Sequence, residues 1–207
     1  MVWIIVILVG LLVLNRFFGM KGKKFDIYFG VPGSGKTTFA AWLTKYDLKH
    51  KIPVYSNVLL KGAYAVEKED IGVFSIHDGR LIIDEAGAEF NNRKWKSLTE
   101  EQIRWFKKHR HFGVDIAVFS QSYDDCDVTL RRLATCLYLV KRSLIPGFVK
   151  RKRILKKIGI NKDTRQIEDQ YYFQFLGFRY IFCPPLWKLF KKEERYELPE
   201  KEFEVYQ

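Results

Sequence analysis

The sequence predicts an α/β fold in which helices flank a mostly parallel sheet. Short apolar segments alternate with helical ones between residues 25 and 140, and this alternation is typical of parallel sheets. A glycine-rich loop follows the first apolar segment, where a strand would lead into a helix. At 207 residues the chain has room for one mid-sized domain with small additions. We divide it into an apolar segment (1–20), a core (21–142) and a β-rich extension with a charged tail (143–207).

Five strands are predicted from apolar runs bounded by turn residues, at 25–29, 52–58, 81–83, 114–119 and 136–140. Helices are predicted at 37–46, between the capping residue Thr99 and Gly113, and at 130–133. Residues 61–70 are polar enough for a loop or a short helix. In the extension, two aromatic runs flank Leu176 and Gly177, and this arrangement predicts a hairpin that turns at those two residues.

The first segment is uninterrupted apolar from residue 2 to residue 14 and has no polar stripe. A membrane span needs about 20 residues, and Arg16 with the two phenylalanines after it can extend the segment toward residue 20. We therefore predict a single transmembrane anchor at 1–20. The basic residues follow the apolar run, so the positive-inside rule places the C-terminal bulk in the cytoplasm. The alternatives are a signal peptide, whose basic start and cleavage site are missing here, and a buried core helix.

Basic residues are concentrated in one region of the chain, whose net charge is +12. Eleven Lys and Arg but no acid lie between Asp127 and Asp163, which indicates an anionic partner. The stretch 141–157 interleaves these bases with apolar residues, so it could lie on anionic lipid, line a DNA path or form a solvated hairpin. We prefer membrane contact, because the anchor holds the domain beside lipid. The three cysteines lack metal-ligand spacing and are interpreted as buried thiols in a reducing compartment.

The glycine-rich loop carries the strongest chemical signal. Residues 30–37 read GVPGSGKT and match GxxxxGK[ST], the Walker A pattern of P-loop nucleoside triphosphatases. The loop N–H groups and the helix N-terminus would face the phosphates, with Lys36 on the β and γ phosphates. The Thr37 hydroxyl would bind Mg²⁺, and Thr38 would lie near the α phosphate. The predicted nucleotide-binding residues are Gly30, Val31, Pro32, Gly33, Ser34, Gly35, Lys36, Thr37 and Thr38.

Polar residues at the ends of two further strands complete the predicted site. Asp84 and Glu85 follow a hydrophobic strand in the Walker B arrangement, so Asp84 is predicted to hold Mg²⁺ and Glu85 to act as general base. A solvated acidic turn is the alternative. Gln121 follows the fourth strand, at the sheet edge where ligands bind, and could sense the γ-phosphate or be an ordinary turn residue. ATP is favoured over GTP, because residues 161–164 do not match the guanine-binding pattern NKxD.

These elements, with the strand that ends at Asn57 and the stretch 111–121, resemble the zonular occludens toxin family. That family comprises the morphogenesis ATPases of filamentous phages, within the additional-strand class of P-loop proteins. The resemblance implies that Lys36 and Thr37 bind nucleotide and metal, and that the strand before Gln121 lies between the Walker A and Walker B strands. In the family the membrane span follows the ATPase domain, whereas the apolar segment precedes it here.

Assembly into a ring is expected as well. The loop holds no cation besides Lys36, and motors of this class borrow an arginine from a neighbouring subunit. Arg131 and Arg132 are therefore predicted catalytic residues of a homo-oligomer, with Arg110 as a third candidate. Both could instead belong to the basic surface that continues to Lys157.

The expected function is an Mg²⁺-dependent ATPase that drives assembly and extrusion of a filamentous phage with its single-stranded DNA. It would act at the host inner membrane together with phage assembly or coat proteins. The alternatives are a cellular or conjugative DNA translocase, a small-molecule phosphotransferase or GTP-dependent switch, and a membrane scaffold with a vestigial nucleotide site.

Overall fold

The structure, a computed structural model, describes residues 22–84, 98–160 and 167–189. The predicted transmembrane anchor, the candidate base Glu85 and the charged tail from residue 190 lie outside the described residues. Within those ranges, no helix has the length and apolar character that crossing a membrane requires.

One sheet of eight strands organises the described part of the chain. The strands are β1 (Phe25–Phe29), β2 (Val54–Ser56), β3 (Tyr64–Ala65), β4 (Arg80–Ile83), β5 (Asp115–Ser120), β6 (Cys136–Arg142), β7 (Phe148–Ile160) and β8 (Ile167–Phe182). Their order across the sheet is β3-β2-β4-β5-β1-β6-β7-β8. The first six strands of that order are parallel, and β7 and β8 continue the sheet as an antiparallel pair.

This topology confirms the predicted mixed α/β sheet. All five predicted strands are present, although β2 is shorter and β6 longer than the apolar runs indicated. The short strand β3 lies inside a stretch interpreted as loop or short helix. The order also confirms that β5, the strand before Gln121, lies between β1 and β4.

Three α-helices and two short 3₁₀ segments connect the strands in the described ranges. They are α1 (Lys36–Lys49), the 3₁₀ segment Lys68–Asp70, α2 (Glu100–Lys108), α3 (Val128–Leu133) and the 3₁₀ segment Pro184–Leu189. The predicted capping box at the start of α2 is confirmed. The Thr99 hydroxyl accepts from the Gln102 amide at 3.2 Å, and the Gln102 side chain accepts from the Thr99 amide at 3.1 Å.

The core lies on both faces of the central strand β1. On one face Phe25 stacks on Phe106 of α2, with ring centroids 5.9 Å apart. On the other face Tyr28 packs on Phe39 of α1, with centroids 5.0 Å apart. The α1 side is further fixed by a buried ion pair between Asp47 and Arg80 of β4. The sheet is therefore covered by α1 on one side and by α2 and α3 on the other.

The predicted hairpin turn at Leu176 and Gly177 is wrong. Strand β8 runs continuously through both residues and pairs with β7 from Phe182 back to Ile167. The two aromatic runs belong to one strand, so they cannot pair with each other. Between the pairs Lys152↔Phe178 and Ile154↔Phe173, four residues of β8 face one of β7. Gly177 therefore marks a bulge, the other common reason for glycine within a strand.

The three cysteines are free and buried, as the sequence predicted. Burial raises the pKa of the Cys126 thiol to about 12, so this group stays protonated and unreactive near neutral pH.

Candidate nucleotide-binding site

The glycine-rich loop joins β1 to α1 in a conformation that only glycine adopts readily. Gly33 has φ 72° and Gly35 φ 94°, both in the left-handed region. Gly35 is the N-cap of α1 and provides no side-chain cap, and the first turn contains no acidic residue. The helix start is thus left as a set of backbone N–H donors, which suits an anionic ligand.

Two glycines of the loop also allow close approach to the neighbouring strands. A Cβ on Gly30 would lie 2.3 Å from the carbonyl oxygen of Val140 in β6. A Cβ on Gly35 would lie 2.3 Å from Cγ2 of Val149 in β7. The loop therefore packs directly against the end of β6 and the start of β7. A larger residue at position 30 or 35 would displace the loop from these strands.

Lys36 is the first residue of α1 and is only 8% exposed. Its Nζ donates to the carbonyl oxygens of Gly30 at 2.7 Å and of Val31 at 3.2 Å. The ammonium group is consequently held inside the curve of the loop, where the phosphates of a nucleotide would meet it. Thr37 and Thr38 follow in the first turn and are half-buried.

Asp84, directly after β4, is 3% exposed and has its backbone held by Asn57. The Asp84 amide donates to Asn57 Oδ1 at 2.8 Å, and Asn57 Nδ2 donates to the Asp84 carbonyl oxygen at 3.0 Å. Asn57 follows β2, which pairs in parallel with β4, so both residues reach the same edge of the sheet. This positioning role was missed, although a polar residue directly after a buried strand could have indicated it.

The C-terminal end of β5 lies next to the glycine-rich loop, at the same edge of the sheet as Asp84. Phe29 is in register with Ser120, and the Gly30 amide donates to the Ser120 carbonyl oxygen at 3.3 Å. Gln121 follows Ser120 and is exposed beside the start of the loop. The hydroxyls of Ser34 and Ser120 are buried without a hydrogen-bond partner among the described residues. Such groups at a ligand-binding edge are available to a bound anion or to water.

These residues fit a nucleotide with its magnesium ion. Mg²⁺ needs few protein oxygens because it keeps several waters and binds phosphate oxygens, so Asp84 and the Thr37 hydroxyl can suffice. The loop supplies N–H donors and one ammonium group for the phosphates. The structure thus brings together Lys36, Asp84 and Gln121 at one sheet edge, and Glu85 lies just outside the described residues.

An arginine outside the Walker motifs also contacts the loop. Arg142, the last residue of β6, donates from Nε to the carbonyl oxygen of Gly33 at 2.7 Å. Beside this contact lies a cleft of about 380 Å³, lined by Gly33, Gly35 and Thr38 on one side and by residues 142–143, 145–149 and 183 on the other. Arg142 was assigned only to the basic stretch, although its place at a carboxyl strand end could have indicated a ligand contact.

The two candidate arginines for contact with a neighbouring subunit differ in their surroundings. Arg131 pairs with Asp124 at 2.9 Å and lies over the Tyr123 ring, 4.9 Å from its centroid. Arg132 is exposed. Arg131 would have to leave its own chain's carboxylate to reach a second subunit, whereas Arg132 forms no ion pair with a residue in the described ranges.

Two solved structures are similar to this chain. The N-terminal domain of zonular occludens toxin from Neisseria meningitidis is 20% identical, with a TM-score of 0.52, and the match covers 82% of this chain and 100% of that one. The genome packaging NTPase B204 from Sulfolobus turreted icosahedral virus 2, in complex with ATP-γS, is 15% identical, with a TM-score of 0.48, and covers 73% and 98% respectively. No curated protein matches the chain in sequence.

The sequence itself matches one family model. The match to the zonular occludens toxin (Zot) family spans residues 64–172, from β3 into β8, and so includes Asp84, Gln121 and Arg142. It covers more than half of the 207 residues. This chain is therefore a member of the zonular occludens toxin family.

Proposed function

We propose that this chain is an Mg²⁺-dependent ATPase. The observation that carries the proposal is the convergence of the Lys36 loop, Asp84 and Gln121 at one edge of a sheet, where β5 separates β1 from β4. That arrangement suits phosphoryl transfer to water, in which catalysis consists mostly of positioning and of stabilising charge on the phosphates.

Each residue has a distinct part in this proposal. The loop amides and Lys36 bind the β and γ phosphates, and Asn57 holds the backbone of Asp84 in place. Thr37 and Asp84 would hold Mg²⁺, which would supply positive charge to the phosphate oxygens. Glu85 accepts the proton of the attacking water, and Gln121 orients that water next to the γ-phosphate.

For the biological role we infer a motor that assembles and extrudes a filamentous phage with its single-stranded DNA. Family membership and the nucleotide site support this role. The apolar run 2–14 and the basic residues after it support a single-pass anchor in the host inner membrane with the ATPase domain in the cytoplasm. A homo-oligomeric ring, and contacts with phage assembly or coat proteins, belong to the same proposal.

Nucleotide binding and hydrolysis can be separated by substitution. In the detergent-solubilised full chain, Lys36→Ala should abolish ATP binding, whereas Glu85→Gln should keep binding and lose turnover. Lys45→Ala is a matched control, because Lys45 is an exposed lysine of the same helix. Undiminished turnover in Glu85→Gln would remove the general-base assignment, and ATP binding by Lys36→Ala would contradict the site.

The membrane and phage roles need cellular experiments. A reporter that works only in the cytoplasm should be active at the C-terminus of the chain, and a reporter that needs export should be silent. Lys36→Ala in the phage genome should stop virion release without stopping DNA replication. Digestion of the ATPase domain by protease added outside the inner membrane would contradict the orientation.

A further inference from the structure

Strands β6, β7 and β8 form one end of the sheet, and no described helix packs on one face of these strands. Leu139 and Lys141 of β6 are in register with Lys152 and Lys150 of β7, so these side chains point to the same side. Phe173, Phe178 and Tyr180 of β8 lie opposite Ile154, Lys152 and Lys150 and continue that side. A groove of about 550 Å³ lies on this side, and its lining includes Leu139, Lys141, Lys150, Lys152, Phe173 and Tyr180, with Phe178 next to it.

Lysines and aromatic rings are paired across this groove. Lys152 Nζ lies over the Phe173 ring at 4.2 Å from its centroid. Lys150 Nζ lies over the rings of Phe178 and Tyr180 at 5.2 and 5.1 Å. The three rings are still 42–48% exposed, so each presents a large apolar surface to solvent.

On the opposite face of the same strands, the cations are arginines that contact aromatic rings of the core and of α1. Arg151 lies over Tyr138 at 4.3 Å, and Arg179 lies over Trp42 of α1 at 4.4 Å. These arginines cover the α1 side of the core and have a structural role. The lysines of the groove cover none of the described helices and lie on the other face of the strands.

The described residues that line the groove include no acid to balance its lysines. Neither the stretch 128–162 nor residues 170–182 contain Asp or Glu. Closely spaced lysines without acids repel one another, so the groove is complementary to a polyanion. The exposed rings indicate a second property of the ligand. A ligand that stacks on these rings needs flat groups with apolar faces, as the bases of nucleic acids have.

We propose that the open groove of β6, β7 and β8 binds a single-stranded nucleic acid. Phosphates contact Lys141, Lys150 and Lys152, and bases stack on Phe173 and Tyr180. A sheet face with exposed aromatics and flanking lysines suits an unpaired strand, whose bases are free to stack. A bilayer would be contacted by a protruding surface, whereas this surface is concave. The proposal extends the proposed function, and it does not require hydrolysis.

Binding is measured with a fluorescent 20-nucleotide oligo-dT and the detergent-solubilised full chain, without ATP, over a salt series. The Lys150→Ala/Lys152→Ala variant should bind more weakly and should reduce the salt slope by roughly 0.7 per lost phosphate contact. Tyr180→Ala should lose roughly 5- to 100-fold in affinity, while Tyr180→Phe, which keeps the ring, should bind normally. Lys107→Ala/Lys108→Ala removes the same charge from exposed lysines of α2 and should have no effect.

Several outcomes would overturn the proposal. The proposal is wrong if the Lys150→Ala/Lys152→Ala variant binds oligo-dT as tightly as wild type does. It is also wrong if the α2 control variant loses as much oligo-dT affinity as the groove variant. A third outcome against the proposal is that the groove variants keep their oligo-dT affinity but no longer bind phosphatidylglycerol vesicles. That result would indicate that the groove binds lipid. Absence of oligo-dT binding by the wild-type chain at low salt would also overturn the proposal.

Failure of this proposal is distinguishable from failure of the ATPase proposal. Lys36→Ala should leave oligo-dT affinity in the absence of nucleotide unchanged, because the groove does not include Lys36. Circular dichroism melting of each groove variant establishes that it is folded before its affinity is interpreted.

Discussion

Arg142 and Gly33 are joined by a hydrogen bond of 2.7 Å from the guanidinium Nε to the carbonyl oxygen. The contact links the end of β6 to the tip of the phosphate-binding loop. It places a second cation of the same chain beside the loop, in addition to Lys36. Arg142 also lies between two concavities, since it lines both the cleft at the loop and the groove of the open face.

Arg142→Ala should weaken ATP binding by about tenfold, because a charge-assisted contact near the phosphates is lost. Titration of the purified chain with a fluorescent ATP analogue measures the effect. Lys141→Ala is the control, because Lys141 is the residue before Arg142 and its side chain lies on the other face of β6. Equal nucleotide affinities for wild type and Arg142→Ala would show that the guanidinium only braces the loop.

Asn57→Ala should raise the Mg²⁺ concentration needed for half-maximal hydrolysis, because the Asp84 amide loses its acceptor and the Asp84 carbonyl oxygen loses its donor. Unfolding in urea should show a loss of about 1–3 kcal/mol, the usual cost of leaving such groups unpaired. Ser56→Ala is a matched control, as it removes a side-chain acceptor from the Val58 amide without touching Asp84. An unchanged Mg²⁺ requirement would contradict the positioning role.

Arg131→Ala and Arg132→Ala should both bind ATP and assemble, yet hydrolyse about a thousandfold more slowly if the arginine acts across a subunit boundary. Only Arg131→Ala should also lower stability, because Arg131 is paired with Asp124 and is 17% exposed. Mixing either variant with Lys36→Ala subunits should restore part of the activity. Specific activity that stays constant on dilution to a demonstrated monomer would contradict the prediction.

Asp26→Asn should stabilise the protein at neutral pH. Asp26 is 5% exposed within β1, and burial raises the pKa of its carboxyl group from 3.8 to about 6 against the opposing effect of Lys24. The native state therefore binds this proton more tightly than the unfolded chain does, and stability falls as the pH rises from about 4 to 6. The penalty at pH 7 is roughly 3 kcal/mol, because each pKa unit corresponds to about 1.36 kcal/mol.

Urea denaturation at two pH values measures this effect. The variant should be more stable than wild type at pH 7.5 and close to it at pH 3, where the wild-type carboxyl is mostly protonated in both the native and the unfolded state. A stabilisation of equal size at both pH values would show that the gain comes from packing rather than from the buried charge.

The nucleotide loop could be predicted because its chemistry restricts the sequence tightly. A turn with φ 72° and 94° needs glycine, and the phosphates need Lys36 at the start of the helix. The strands around it were found for a similar reason, since β1 and β5 are buried on both faces and read as apolar runs.

Arg142, Asn57 and the β8 bulge were missed because each depends on pairing between distant segments. Asn57 meets Asp84 only because β2 lies beside β4, and Arg142 meets Gly33 only because β6 lies beside β1. The symmetry of the aromatic runs in β8 indicated a turn, whereas the partner strand β7 decides where β8 bends. The local sequence pattern does not show which distant residues become neighbours in the folded sheet.

The central place of β1 also constrains how this protein folds as it is made. Its first residues pair with partners 91 and 110 positions later in the chain, Lys24 with Asp115 and Phe25 with Thr135. On a ribosome that releases residues from the N-terminus, β1 therefore waits with both edges open until β5 and β6 have emerged. Exposed strand edges are sites of aggregation, so a chain interrupted before residue 115 would carry β1 with both edges unpaired.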